Sequence, residues 1–459
     1  MVSSRVVISH FMPSAEYSAN NYYNYNGNNG NLNNNNKNNT LRARPVLELR
    51  RLLPDFEALP FPLSEFYDTY RTTRRHKASK PSHLVFAQCR WLQLANLCYE
   101  VNGGEYQPTR SIAFIVTKPK PREVIAADFR DRVVQTLLVA ELLPHLEQYE
   151  HPHSYSCRVG KGTLAAVQRF KELNDKYQGG YVCFLDFANH FMSIDPKIWT
   201  PRLQVFIDEH YDKGGERKAL LKRIADVIYY HRPQDDCIRM SPESDWALIP
   251  ERKSLFHSEV GLPIGNVTSQ MLSNFVTTEY LYKLESEGFE FGFYTDDTGI
   301  FTYDKERLLA LIPRLRTYLK DECGITLHPD KVYFQHLSKG FNALGFRIKG
   351  DNITPSKRIV HNFHLLVDNI RHKTYRYCDR ARQRLNSYLG LLGKSHSYNI
   401  RRAGMTQLQQ DGWSKTLRFP VGYNRVEIKT YCTQETYYLR QNRKRRLQQL
   451  NIINDGYTS

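Results

Sequence analysis

A chain of 459 residues with 41% hydrophobic and 12% aromatic content carries enough apolar material for two or three domains with sizeable cores. Lys and Arg outnumber Asp and Glu by 64 to 47, a formal charge of +17, and that excess favours a polyanion as partner because neutralised phosphates release counterions. Eight scattered cysteines with no CxxC pair exclude a zinc ribbon and a disulfide framework, no apolar run approaches the ~20 residues that span a bilayer, and the N-terminus lacks a signal-peptide core. The expectation is a soluble protein with reduced thiols, in a cytoplasm.

Residues 1–45 form an Asn-rich leader, with "NNYYNYNGNNGNLNNNNKNN" at its centre. Such a tract buries too little apolar surface to offset chain entropy, so disorder is expected. An N-terminal helical region is expected over 46–110. Within it the basic run "RTTRRHKASK" (71–80) reads equally as a solvated face or a phosphate contact. Residues 82–105 read as one amphipathic helix ended by Gly103 and Gly104. A strand-like stretch, "SIAFIVTKPKPREVIAA", precedes a long helix from about Asp131 to Gln148. Between 180 and 350 short apolar strands, "YVCFLDF", "FGFYTDD" and "GIFTY", alternate with helices over 268–286 and 305–322. That alternation predicts an α+β fold with an antiparallel sheet. Beyond 355 the chain is basic and helical, and it ends in "RQNRKRRLQQL".

Three carboxylates stand out against this background. Asp186 closes the apolar strand "YVCFLDF", and Asp296 and Asp297 occupy an expected tight turn between two further apolar strands. An Asp pair in a hairpin turn is ordinary turn chemistry. Strands this apolar nevertheless imply a buried sheet, in which Asp186 would face the pair. Carboxylates clustered in that way repel one another and call for cations. An oxygen-only ligand set suits Mg²⁺, and two such ions ~3.5–4 Å apart clamp both reacting oxygens in phosphoryl transfer.

"VCFLDF…FMSID", "GLPIGNVTSQMLSN" and "YTDD", in that order, resemble the palm motifs of reverse transcriptases. "KPKPREVIAADFRDRVVQTLL" looks like the fingers motifs, "HSYSCRVGKGTLAAV" like the segment entering the palm, and "ITLHPDKVYFQHLSKGFNALGFRIKG" like the later palm motifs and primer grip. The resemblance covers roughly residues 65 to 405. It implies a right-hand polymerase, with fingers and palm over 111–350, a basic helical thumb over 351–447 and a tail over 448–459. "ERKSLFHSEVGLPIGNVTSQ", "LHPDKVYFQHLSKG" and "NSYLGLLGKSHSYNIRR" are most similar to the enzymes of diversity-generating retroelements. Three features depart from that group: Thr298 and Gly299 follow the acid pair where a bulky apolar residue is usual, "DFANHF" lacks the usual basic residue after Asp186, and the stretch past about 410 is longer than expected.

The resemblance implies a role for each matching position. Asp186 and Asp296 would bind both metal ions (Mg²⁺, with Mn²⁺ as an alternative), with Asp297 in support and the Phe187 carbonyl completing the shell. Lys331 would protonate the pyrophosphate leaving group. Lys118 and Arg122 would hold the dNTP triphosphate. Phe191 would block a ribose 2′-hydroxyl. Ile264, Gly265 and Gln270 would line the dNTP site, and Gly261, Pro263, Ser269, Leu344, Gly345 and Phe346 the template-primer. An apolar residue at Ile264, where retroviral enzymes carry Gln, offers fewer contacts to the nascent base pair and suits an error-prone enzyme.

The function expected is an RNA-directed DNA polymerase, error-prone at adenines, that extends a primer with dNTPs on an RNA template. A small basic helical accessory protein is the expected assistant, and a bacterial or phage cytoplasm the setting. Alternatives are a reverse transcriptase of phage defence and, in another class, a non-catalytic RNA-binding or maturase-like protein. Asn codons are adenine-rich, and residues 10–48 resemble a translated variable-region end. They are therefore expected to carry a template repeat at the nucleic-acid level.

Overall fold

The computed structural model describes residues 55–75, 77–118, 120–372 and 378–429. The Asn-rich leader, the stretch 10–48 expected to carry a template repeat and the basic C-terminal run lie outside the described residues. The chain divides into two compact units, with described residues 55–166 and 183–334 in the first and 167–182 and 335–429 in the second.

The first unit opens with α1 (Leu63–Arg74), which buries Leu63, Phe66, Tyr70 and Thr73 on one face at helical spacing. The single helix expected over 82–105 is two: α2 (Pro81–Gln88) and α3 (Arg90–Asn102). Cys89 between them leaves the helical region at φ −117°, ψ 39°. The apolar spacing continues through this one-residue break, so periodicity does not reveal it. Gly103 closes α3, and Gly104 turns the chain at φ +66°. The stretch 111–127 is a hairpin, β1 (Ser111–Val116) and β2 (Arg122–Ala126), in antiparallel register from Ile112↔Ala126 to Val116↔Arg122. Asp128 accepts from Arg130 N to start α4 (Phe129–Tyr149), which extends slightly beyond the expected bounds at both ends.

After α5 (Thr163–Lys176) comes β3 (Tyr181–Phe187), then the short α6 (His190–Ser193), α7 (Pro196–His210) and α8 (Gly215–Tyr230). Strand β4 (Cys237–Arg239) runs parallel to β1, giving the order β2-β1-β4. This pair is parallel, so the sheet is mixed. A short helix, α9 (Glu243–Trp246), leads through two 3-10 turns to α10 (Val267–Ser286). Helix α10 is buried on nearly every side, as a helix at the centre of a core must be. Strands β5 (Glu290–Tyr294) and β6 (Asp297–Thr302) form an antiparallel hairpin, followed by α11 (Lys305–Asp321) and β7 (Leu327–His336). The resulting four-stranded sheet has the order β5-β6-β3-β7. Its strands and α10 share a core that includes Leu185, Phe187, Leu272, Phe275, Phe291 and Phe293.

The second unit contains an antiparallel sheet of β8 (Phe341–Ala343), β9 (Phe346–Lys349) and β10 (Asn352–Pro355). Three helices follow, α12 (Lys357–Arg371), α13 (Cys378–Leu392) and α14 (Tyr398–Gln410), then the small pair β11 (Leu417–Arg418) and β12 (Glu427–Ile428). Phe363, Val367, Leu389, Met405 and Leu408 form a separate core. Helices α12 and α14 cross closely at Gly404, where a Cβ would lie 2.8 Å from Phe363. Among the described residues no helix is long and apolar enough to cross a membrane.

A buried ionic network guards the outer edge of the four-stranded sheet. Tyr155 N donates to Phe293 O at 3.0 Å and Phe293 N to His153 O at 3.0 Å, so residues 153–155 cover β5. Glu150, just upstream, meets Arg158 Nε at 3.2 Å and accepts from Asn274 Nδ2 at 3.4 Å. Burial outweighs Arg158 and pushes its carboxyl up to about 7. A carboxyl raised on folding stabilises most below its unfolded value, and that contribution is lost as pH rises to about 7. The melting temperature of Glu150→Gln, measured against wild type, should therefore rise from pH 5 to pH 8. A difference that stays flat over this range contradicts the assignment.

Candidate active site

Strand β3 buries Leu185 and Phe187 and turns Asp186 to the opposite, partly open face. The β5–β6 hairpin pairs Tyr294 with Asp297, leaving Thr295 and Asp296 as a two-residue turn. The expectation that both acids sit in the turn is corrected here, because Asp297 is the first residue of β6. Two-residue hairpins favour a positive φ at the first loop position, and here it falls on a β-branched threonine at φ +62°. Threonine rarely adopts this backbone, and strain of this kind collects at functional sites. Phe187 N donates to Asp296 O at 3.3 Å, which ties the turn to the end of β3.

The sheet order explains the electrostatics. On one side of β3, β6 brings up Asp296 and Asp297; on the other, β7 brings up Lys331, whose Nζ donates to Asp186 Oδ2 at 2.7 Å. Burial, then the neighbouring Asp296 and Asp186, pushes the Asp297 carboxyl up to about 7. Burial and Asp186 also raise Asp296, against the opposing pull of Lys331 and Arg122. Like charges forced together in a half-buried place are what a cation would relieve. The donor set, hard carboxylate oxygens, fits a divalent ion. Among the described residues, no three His, Cys, Asp or Glu side chains are already drawn into a ligating cluster.

Residues 261–266 form the second wall. Gly261 N donates to Ile194 O at 3.0 Å, and Leu262 N to Phe191 O at 2.7 Å. Ile125 N donates to Ile264 O at 3.0 Å, and Ser269 Oγ to Pro263 O at 2.7 Å. The loop is thus fastened between the Phe191 segment and β2, the strand that begins at Arg122. Gly261 and Gly265 are required by close approach: at φ +117° and +124°, a Cβ would lie 2.8 Å from Leu255 and 2.8 Å from Val124. Lys118 is exposed in the β1–β2 turn, and Gln270 is exposed in the first turn of α10. Leu344 and Gly345 form the two-residue turn between β8 and β9, and Phe346 is buried, all within the second unit.

Three features of the site were not anticipated. Asn266 precedes α10 as an N-cap would, yet its Oδ1 accepts from Ala127 N at 3.2 Å and so pins the loop to β2. Where bulk was expected after the acid pair, Thr298 accepts from Tyr280 Oη at 3.1 Å, and the Tyr280 ring packs against Phe187. His190, in the "DFANHF" opening, bonds Ser273 Oγ at 2.8 Å, and burial lowers its pKa to about 4, so it adds no charge at neutral pH.

Residues 116–348, just over half of the chain, match the family described as reverse transcriptase (RNA-dependent DNA polymerase). The chain belongs to the reverse transcriptase family. Enzymes of this family use divalent metal ions, which agrees with the carboxylate set. No curated protein matches the chain. Among solved structures, it is similar to a telomerase from Candida albicans in complex with a telomeric RNA fragment. Identity is 10%, coverage 67% of this chain and 55% of that chain, and the TM-score 0.40. An apo telomerase from Candida tropicalis is 10% identical over 66% of this chain and 60% of that chain, with a TM-score of 0.41. The chain thus spans little more than half the length of these telomerases, and likeness at this level carries no conclusion about fold or function.

The repulsion at the acids has a measurable consequence. With divalent ions removed by EDTA at pH 8, Asp297→Asn takes away one of three crowded, half-buried charges and should stabilise the protein by on the order of 1–3 kcal/mol. A melting temperature below wild type in EDTA would count against crowding at this site.

Proposed function

We propose that this reverse transcriptase is an RNA-directed DNA polymerase that extends a primer with dNTPs, and that it copies template adenines inaccurately as part of a diversity-generating retroelement. The observation carrying the first part is that Asp186 near the end of β3, Asp297 at the start of β6 and Asp296 in the turn before it act on one another's charge. Arg122 lies close enough to Asp296 to bias its charge, and the 261–265 loop is fastened beside Phe191. The sequence motifs shared with that group, Ile264 and the Asn-rich leader support the second part.

Asp186 and Asp296 would hold two Mg²⁺ ions, with Asp297 in support and the Phe187 carbonyl as a further oxygen ligand. Bound there, the ions supply positive charge to the attacking and leaving oxygens. Arg122 grips the triphosphate through a bidentate guanidinium and Lys118 adds a point charge. The Phe191 ring is half-buried, and its position in the shared motif supports a role in refusing ribonucleotides by clash with the 2′-hydroxyl. Ile264 presents no hydrogen-bond partner to the nascent pair, which weakens discrimination against mispairs. Lys331 Nζ, beside Asp186, carries a proton for the pyrophosphate. The template and primer are the polyanions that the +17 charge favours, and a small basic accessory protein assists.

Purified full chain, incubated with an RNA template, DNA primer, dNTPs and Mg²⁺, should extend the primer, and Asp296→Asn should abolish extension. Product sequencing should show errors concentrated opposite template adenines. Errors spread evenly over the four bases would end the diversification reading and leave the polymerase reading standing. Phe191→Ala should improve ribonucleotide insertion by about 10²-fold relative to deoxynucleotides; an unchanged ratio contradicts its role.

A further inference from the structure

Glu123 lies one residue after Arg122 on β2 and points the other way. Its side chain is only 3% exposed. It pairs across the hairpin with Ile115, on the strand face that also carries Ile125, in a small apolar cluster with Leu255 and Ala113. A carboxylate in such a place is costly unless its oxygens find donors. Both do: Ser254 Oγ donates to Oε2 at 2.6 Å and Leu255 N donates to Oε1 at 2.9 Å. Charge-assisted bonds of this length are among the stronger hydrogen bonds in proteins. Both donors are neutral, so the arrangement is a clamp on a backbone turn.

The clamp leads to the 261–265 loop. Leu255, held by Glu123, is the residue whose Cδ2 lies 2.8 Å from where a Cβ on Gly261 would be, so it packs directly under the start of the loop. Two residues further along β2, Ile125 N holds Ile264 O at 3.0 Å. Between these two fastenings Val124 lies against Gly265, where a Cβ would come within 2.8 Å of its Cγ1. One strand therefore holds the loop at both ends, and the same strand begins with Arg122. Sequence alone does not suggest this. Glu123 follows a basic segment and reads as a surface charge, while Ser254 and Leu255 lie 131 and 132 residues away.

We propose that Glu123 is a positioning residue for nucleotide selection: through Ser254 and the Leu255 amide it sets the 261–265 loop, and with it Ile264, against the strand that carries Arg122. This rests on the polymerase reading above. The carboxylate touches no nucleotide. It fixes the distance between the side chain that grips the triphosphate and the loop that faces the nascent base pair, so its loss loosens nucleotide binding more than it slows chemistry.

Single-nucleotide insertion by the full chain on an RNA template and DNA primer tests this, with correct and mispaired dNTPs. Glu123→Ala should raise KM for the correct dNTP about tenfold, with kcat changed less than about threefold. It should also alter the ratio of mispaired to correct insertion. Glu123→Gln keeps an acceptor for Leu255 N and offers an amide to Ser254 Oγ, and should return KM to within about twofold of wild type. Ser254→Ala should show a smaller effect in the same direction, and the double variant Glu123→Ala with Ser254→Ala should be no worse than Glu123→Ala alone. Additive effects, an unchanged KM, or losses confined to kcat would overturn the proposal. Hydrogen exchange supplies a readout independent of activity: Glu123→Ala should speed exchange over residues 255–265 while α10 stays protected. Wild-type protein that extends no primer would sink the polymerase reading, and unaltered exchange over 255–265 would sink the clamp.

Discussion

Mutual repulsion among three carboxylates is the constraint around which the first unit is organised. Burial, then the neighbouring acids, pushes the Asp296 and Asp297 carboxyls upward. Left to themselves, such groups would separate into water. They are held by what surrounds them: apolar strands that cannot leave the core, a two-residue turn strained at Thr295, and the bond from Phe187 N to Asp296 O. The stability of the sheet is thus invested in keeping like charges close, and proteins accept this arrangement where a charge must be met by something that binds.

The charges that answer the acids come from different directions. Lys331 reaches Asp186 from β7, on the side of β3 away from the hairpin. Arg122 acts on Asp296 from the three-stranded sheet. The 261–266 loop is stitched to β2 through Ile264 O and Asn266 Oδ1 and to the Phe191 segment through Leu262 N. The first unit therefore ties the acids, strand β2 and the 261–266 loop into one framework of hydrogen bonds, most of them between backbone groups. Few of these connections are side chain to side chain, so most substitutions on the surface should leave them intact.

Much of this was legible in the sequence where local pattern and tertiary role agree. "YVCFLDF" is strand β3 with the bounds expected, and the helices expected over 268–286 and 305–322 differ by one residue at an end. The α+β class followed from the same alternation. Pattern failed where one residue decides. Cys89 breaks a helix without disturbing its apolar spacing, and the turn at Thr295 and Asp296 shifts Asp297 into a strand. Long-range satisfaction was not legible at all. Nothing local says that Glu123 will find Ser254, that Asn266 will leave its own helix to bond Ala127, or that Tyr280 will complete the space beside Thr298. Such partners are set by how distant elements stack, and a buried polar group reveals its partner only once the fold is formed.

Paramagnetic resonance of Mn²⁺ titrated into the full chain with a template-primer and an incoming dNTP tests whether Asp186, Asp296 and Asp297 together hold divalent ions. Wild type should bind two Mn²⁺ close enough to couple magnetically, and the Asp186→Asn, Asp296→Asn double variant should lose the coupled pair. Coupled Mn²⁺ that persists undiminished in that variant, or wild-type protein that binds none, would contradict a divalent-ion site at these acids.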